Sequence, residues 1–202
     1  MSDQEIEIKL YLSDMPAFRR RVEEQGAELI EPRLHEVNLR YDTPDGELTR
    51  KAQVLRLRQD KAAHLTYKGK GDTSGEVYTR REIEFTVGDF QSARAFLEAL
   101  GYVINLMYEK FRTTYKLDEV LITLDEMPFG NFSELEGPDA ESIRRVAKKL
   151  GVNWEARIAE SYTGLFTHLK KDLGLTFRDL SFDNFSGIIV SPQAMGVQPA
   201  DS

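Results

Sequence analysis

Residues 3–12 read Asp3-Gln4-Glu5-Ile6-Glu7-Ile8-Lys9-Leu10-Tyr11-Leu12, charged and apolar side chains in turn. A period of two puts Glu5, Glu7 and Lys9 on one face of a strand and Ile6, Ile8 and Leu10 on the other. The same pattern recurs along the chain. Arg56 and Arg58 alternate with Leu55 and Leu57, and Lys68 and Lys70 share parity with Thr66, opposite Leu65 and Tyr67. Glu76, Tyr78, Arg80, Glu82 and Glu84 align opposite Val77, Ile83 and Phe85. Lys110 and Arg112 flank Phe111, Thr123 and Asp125 oppose Ile122 and Leu124, and Glu134 and Glu136 flank Leu135.

Turn and cap signals divide these runs into strands at 3–12, 28–43, 53–59, 63–70, 76–87, 102–117, 119–127 and 131–137. Four helices fall between or after them. The first is capped at Ser13 or Asp14, the next spans 90–100 behind Asp89, and two more span 139–150 behind Asp139 and 155–173. Connections of hairpin length imply antiparallel pairing, and eight strands suffice to close a barrel. The expected fold is α+β, a closed eight-stranded antiparallel barrel with helices packed outside. One domain over 1–174 is expected, then an extension, 175–202, whose last dozen residues read as disordered. Trp154, Phe177, Phe182 and Phe185 read as satellite core, with a lid or dimer contact as the other reading.

Composition narrows the class. The chain has 202 residues, 41% hydrophobic and 30% charged, with no cysteine and three histidines. Disulfides, thiolate metal sites and cysteine nucleophiles are thereby removed, and scattered His35, His64 and His168 make poor zinc ligands. No membrane span, secretory signal or transit peptide is legible, so a cytoplasmic protein is expected. A net charge of −7 argues against nucleic acid as a partner. Residues 50–81 nevertheless hold nine Lys/Arg against three acids. A cationic stretch inside an acidic chain points to a recessed anion site, although a solvated charged face is the commoner origin of such a run.

Alternation alone allows charged faces turned to water or charged faces lining a lumen. Charged pairs at i, i+2 in nearly every strand favour the lumen, as do amphipathic helices that need an apolar surface to cover. In a lumen, Lys and Arg forks match phosphate oxygens. Carboxylates beside them would repel that anion unless a hard divalent cation stood between, which implies metal-assisted phosphoryl chemistry. No phosphate-binding glycine loop is present.

These residues resemble the CYTH superfamily, the triphosphate tunnel metalloenzymes. The E-x-E-x-K signature stands at Glu5-Ile6-Glu7-Ile8-Lys9. Leu55-Arg56-Leu57-Arg58, Thr66-Tyr67-Lys68-Gly69, Arg81-Glu82-Ile83-Glu84, Lys110-Phe111-Arg112, Leu124-Asp125, Glu134-Leu135-Glu136 and Glu160-Ser161-Tyr162 follow in family order. The resemblance spans about residues 3–170 and implies the closed tunnel. It assigns Glu5, Glu7, Asp125, Glu134 and Glu136 to Mg²⁺ or Mn²⁺. It assigns Lys9, Arg56, Arg58, Lys68, Lys70, Lys110 and Arg112 to a phosphate clamp; Lys70 and Arg80 have the parity but stand near strand ends. Lys9, Glu82 and Asp125 are the expected catalytic groups. Tyr41 is the nearest candidate for the tyrosine some members use, but its parity opposes Arg40 and Asp42, so a packing role stands beside the catalytic one. Lys170 closes one mouth or faces solvent. His35 and His64 are rejected as general bases.

The family includes triphosphatases and class IV adenylyl cyclases, and both reactions need the same clamp and metals. Cleavage of the terminal phosphate of tripolyphosphate, thiamine triphosphate or a nucleoside triphosphate is the expected activity. Conversion of ATP to cyclic AMP and pyrophosphate is the alternative. A non-catalytic polyphosphate-binding module ranks last, because it predicts a broken carboxylate set. The expected partner is a triphosphate-bearing small molecule; a homodimer is plausible but no interface pattern supports it.

Overall fold

The opening alternation becomes the first strand of a closed ring. In the computed structural model, which describes residues 4–72 and 74–202, the strands are β1 (Gln4–Leu12), β2 (Glu28–Asp42), β3 (Val54–Gln59), β4 (Ala63–Lys68), β5 (Tyr78–Val87), β6 (Val103–Leu117), β7 (Val120–Met127) and β8 (Gly130–Glu136). Asp3 of the expected first strand and Thr73 of the turn after Lys70 lie outside the described residues. The ring order is β1-β5-β4-β3-β2-β6-β7-β8, every neighbouring pair is antiparallel, and β8 pairs back onto β1.

Helices cover the apolar outside, so the charged faces turn inward. Helix α1 (Met15–Glu24) is capped by the Asp14 carboxylate accepting from the Ala17 N–H; α4 (Ala140–Lys149) is capped by Asp139 accepting from Ser142. Together they bury Phe18, Val22, Ile143 and Val146 against Ile8, Leu10, Ile122, Leu124 and Leu135. Each such side chain contributes about 1.5–3 kcal/mol on burial. Helix α3 (Phe90–Ala99), capped by Asp89, seats Leu97 on the outer face of β2 and β3 at Leu39, Tyr41 and Leu57. Tyr41 is thus buried in packing, outside the tunnel. The one-turn helix α2 (Glu47–Arg50), which the pattern does not announce, is organised by Asp42, whose carboxylate accepts from Leu48 and Thr49. None of the helices in the described residues is long and apolar enough to cross a membrane.

Two segments differ from expectation. Helix α5 starts at Tyr162 and runs to Leu173, where the sequence suggests 155–173. The Ile158 N–H instead donates to the Lys9 carbonyl at 2.8 Å, and Ser161 caps α5 by accepting from Gly164. Residues 157–161 are therefore pinned to β1 and deliver α5 over one end of the barrel. There Tyr162, Leu165, Phe166 and Leu169 pack on the inward-facing Tyr108, Met127 and Phe132. Phe177 and Phe185 join this cluster, Phe182 lies tilted against Phe111 with ring centres 5.2 Å apart, and Trp154 packs on the cluster that α4 buries.

The last dozen residues, whose composition reads as disordered, lie against the barrel. Ala200 and Met195 are buried, and the Ala200 N–H donates to the Tyr11 carbonyl at 2.9 Å. The Asp201 carboxylate accepts from the backbone N–H groups of Ser13 and Asp14 at 2.8 and 2.7 Å. Small and polar residues without a period acquire order here from partners far away in the chain.

Candidate functional site

Inward positions of the strands meet in a cavity of about 350 Å³. Its charges are sorted by strand. Glu134 and Glu136 on β8, Glu5 and Glu7 on β1, and Glu82 and Glu84 on β5 line three consecutive strands, with Lys9 and Arg80 among them. Lys68 on β4, Arg56 and Arg58 on β3, Arg40 on β2, and Lys110 and Arg112 on β6 line the facing four. The ring register places like charges directly opposite at two points, Glu7 against Glu136 and Arg40 against Arg56. Such pairs are destabilising in a sheet unless a counter-ion relieves them. One wall therefore suits a cation and the other an anion.

Ion pairs cross the seams between the walls. Lys68 Nζ lies 2.8 Å from Glu5 and 2.9 Å from Glu82, and Arg80 also holds Glu5. Arg112 reaches Glu134 at 2.5 Å, and Lys9 lies 3.4 Å from the same carboxylate. Arg56 and Arg58 share Glu84 at 3.1 and 3.0 Å. Burial pushes Glu5 up, but Lys68 and Arg80 overcome it and hold the group at about 2. Glu134 behaves alike: burial opposes ionisation, yet Lys9, Arg112 and Lys110 keep it well below the usual range. Glu7 is relieved only in part, by Lys9 and Lys68. Burial, then the neighbouring Glu134 charge, lift it to about 7. Burial and Glu5 lift Glu136 to about 7 as well, although its position at the open end of β8 lets water screen part of that effect.

The structure brings most of the expected residues together and leaves others out. Glu5, Glu7, Lys9, Arg56, Arg58, Lys68, Arg80, Glu82, Lys110, Arg112, Glu134 and Glu136 all line the cavity. Lys70 does not: β4 ends at Lys68, the Gly69 N–H turns to the Arg81 carbonyl, and Lys70 projects to solvent. Its parity is right, but the strand that would carry it has ended. Asp125 is wholly buried behind the wall rather than on it. It accepts from Lys110 at 2.9 Å, from Arg112 Nε at 2.6 Å and from the Tyr162 hydroxyl at 2.8 Å. Its oxygens are thus taken by three donors, two of them cations that line the cavity, and Asp125 itself stands off the lining. His64, paired with Asp60 and close to Glu84, and His35, paired with Glu109, both lie off the cavity lining.

Sequence reasoning assigned no role to Arg40, Glu84, Tyr108, Thr123, Ser161, Tyr162 or Thr163, which also line the cavity. Arg40 carries a readable signal, its parity with Asn38 and Asp42. Ser161 and Tyr162 stand in the Glu160-Ser161-Tyr162 match, but no role followed from it, because the end of the barrel that a helix covers is not written in strand alternation.

The acidic wall fits a hard divalent cation. Its donors are carboxylate oxygens throughout, and burial with neighbouring carboxylates (Glu134 and Glu5 at Glu7; Glu5 and Glu82 at Glu136) already disfavours their charge, which a cation would relieve. Among the described residues no three of them already converge as a ligand set. Glu5 and Glu134 are held by the cations across the seams, so one binding event has to exchange ion pairs for metal and phosphate contacts.

This arrangement has a pH signature. The folded value of Glu7, about 7, exceeds its ordinary 4.5, so its contribution to stability is complete below about pH 4.5 and is lost as pH rises through 7. Glu5 and Glu36, both held at about 2, act oppositely and only below pH 4.5, so they leave that window untouched. The metal-free protein is expected to melt about 2–4 °C lower near pH 8 than near pH 5, and saturating Mg²⁺ or Mn²⁺ near pH 8 is expected to recover the difference. Calorimetric scans that are flat across this range would contradict the crowding of Glu7.

The CYTH domain model matches residues 3–162. No curated protein matches the chain. Among solved structures, a putative adenylate cyclase from Vibrio parahaemolyticus shares the fold with a TM-score of 0.73 and 24% identity, over 83% of this chain and 99% of that one. PH1819 from Pyrococcus horikoshii OT3 gives a TM-score of 0.67 at 27% identity, over 81% and 98%. A putative adenylyl cyclase from Hippeastrum, described as having a dominant triphosphatase activity, gives 0.62 at 21% identity, over 81% and 95%.

Proposed function

We propose, since this chain belongs to the CYTH domain family, that it is a metal-dependent triphosphatase cleaving the terminal phosphate of a triphosphate inside the tunnel. One observation carries the reading: the lumen is divided into an acidic wall on β8, β1 and β5 and a basic wall on β4, β3, β2 and β6. A triphosphate alone would meet carboxylates, and a metal alone would leave Arg40 and Arg56 facing one another. The two together neutralise both walls.

The divalent cation, Mg²⁺ or Mn²⁺, supplies charge neutralisation at the phosphoryl oxygens when bound by Glu7, Glu134, Glu136 and Glu5. The chain's own groups do the rest. Arg56, Arg58, Lys110 and Arg112 grip the phosphates with fixed donors, two of them oriented by the Asp125 carboxylate behind. Lys9 is anchored by its bond to the Glu160 carbonyl at 3.2 Å and lies 4.6 Å from the Tyr162 ring centre, which fixes its ammonium toward the charge that grows on the transferring group. Glu82, raised by burial although Lys68 lies beside it, is placed to orient the attacking water.

Product analysis tests the assignment. With Mg²⁺ or Mn²⁺, tripolyphosphate and ATP are offered in parallel, and orthophosphate is expected from tripolyphosphate. Pyrophosphate with cyclic AMP from ATP, and no orthophosphate from tripolyphosphate, would assign the tunnel to the cyclase reaction instead.

A further inference from the structure

A second cavity, of about 520 Å³, opens from the tunnel where α5 leaves the barrel. The two share Arg40, Val54, Arg80, Ser161 and Thr163, so they adjoin along these side chains. The outer one is lined further by Asn105, Thr167, Lys170 and Arg178, and among its described lining residues there is no carboxylate. Arg178 is already paired with Asp179 at 2.8 Å and Arg80 with Glu5. Arg40 and Lys170 are not. Neither makes an ion pair among the described residues, and Arg40 donates only to the Thr163 hydroxyl at 2.6 Å while standing opposite Arg56. A partly buried, unpaired guanidinium facing another is costly until an anion reaches it.

We infer that Arg40 and Lys170 form a second anion subsite at this mouth, which takes the continuation of a linear polyphosphate beyond the three phosphates held in the tunnel. The inference rests on the tunnel being a triphosphate site and adds the length of the chain it accepts. A nucleobase would need a free aromatic face for stacking. Tyr78 is half-buried here with the Arg80 guanidinium 5.1 Å from its ring centre, and Phe166 is buried in the α5 cluster. The mouth therefore offers cations, hydroxyls and the Gln53 and Asn105 amides, and no open ring. Phosphate oxygens match those donors.

Calorimetric binding of tripolyphosphate and of longer linear polyphosphates to the full chain tests this, with Lys170→Gln and Lys171→Gln beside wild type. Longer chains are expected to bind about tenfold more tightly than tripolyphosphate. Lys170→Gln is expected to cut that preference about fivefold while leaving tripolyphosphate affinity and turnover unchanged. Lys171→Gln, at an exposed neighbouring position outside the mouth, is expected to change neither. Equal affinity for all lengths, an equal loss in both variants, or ATP binding more tightly than the long chain would overturn the subsite. Tripolyphosphate that fails to bind at all would overturn the tunnel reading and this inference together. Tripolyphosphate that binds without being cleaved would overturn only the hydrolase assignment and leave the length comparison decisive.

Discussion

Replacing Glu7 by glutamine is expected to reduce metal-dependent turnover of tripolyphosphate by about a hundredfold or more, without lowering the melting temperature. Glu7 is buried directly across from Glu136 and close enough to Glu134 for that charge to lift it to about 7. The cation nearest its carboxylate in an ion pair is Arg80, at 3.9 Å. The neutral amide keeps the shape of the side chain and removes one repelling charge, so near pH 8 the metal-free variant is expected to melt at or about 2 °C above wild type. Stability and activity thus move in opposite directions, as they do where a site is kept strained for function. Steady-state assays across a metal titration, with melting curves on the same preparations, check both halves. Unchanged turnover would remove Glu7 from the metal wall, and a large fall in melting temperature would mean that its charge is already compensated within the protein.

Asp125→Ala is expected to do the reverse first. Its carboxylate is wholly buried and receives Lys110, Arg112 and the Tyr162 hydroxyl. Deleting it leaves two interior cations with Glu36, 3.7 Å from Lys110, and Glu134 as their remaining neighbours, and it frees the N-terminal turn of α5. Breaking a buried pair in this way costs about 3–5 kcal/mol, which corresponds to a fall of about 10 °C for a chain of this size. Turnover should fall as well, because the clamp cations lose their orientation. The pair of readouts separates the roles: a metal ligand facing the lumen would lose activity with little change in melting, whereas a counter-ion behind the wall loses both. Urea denaturation of Asp125→Ala at a midpoint equal to wild type would contradict the placement seen here.

How far the sequence reaches is visible in single residues. Period-two alternation put Glu5, Glu7, Lys9, Arg56, Arg58, Lys68, Lys110, Arg112, Glu134 and Glu136 on the charged faces of their strands, since side-chain parity is a local property of an extended backbone; that those faces line one lumen needed the helices that cover the other side. The caps at Asp89 and Asp139 were legible for the same local reason, while the first was read as Ser13 or Asp14 and is Asp14. Parity says nothing about where a strand stops, and so Lys70 reads as part of the clamp while it stands in solvent. Nor does it say which inward residue lies across the ring. That Glu7 meets Glu136 and Arg40 meets Arg56 depends on hydrogen-bond register between strands distant in the chain. Depth escapes it too: Asp125 shares parity with Thr123, yet α5 closes over the former and leaves the latter on the cavity. The sequence by itself determined the faces, the barrel and the chemical type of its interior. Ring closure and the helix laid across one mouth decided which charges repel, which are paired, and where an anion can continue outward, because those are distances between residues that no local period relates.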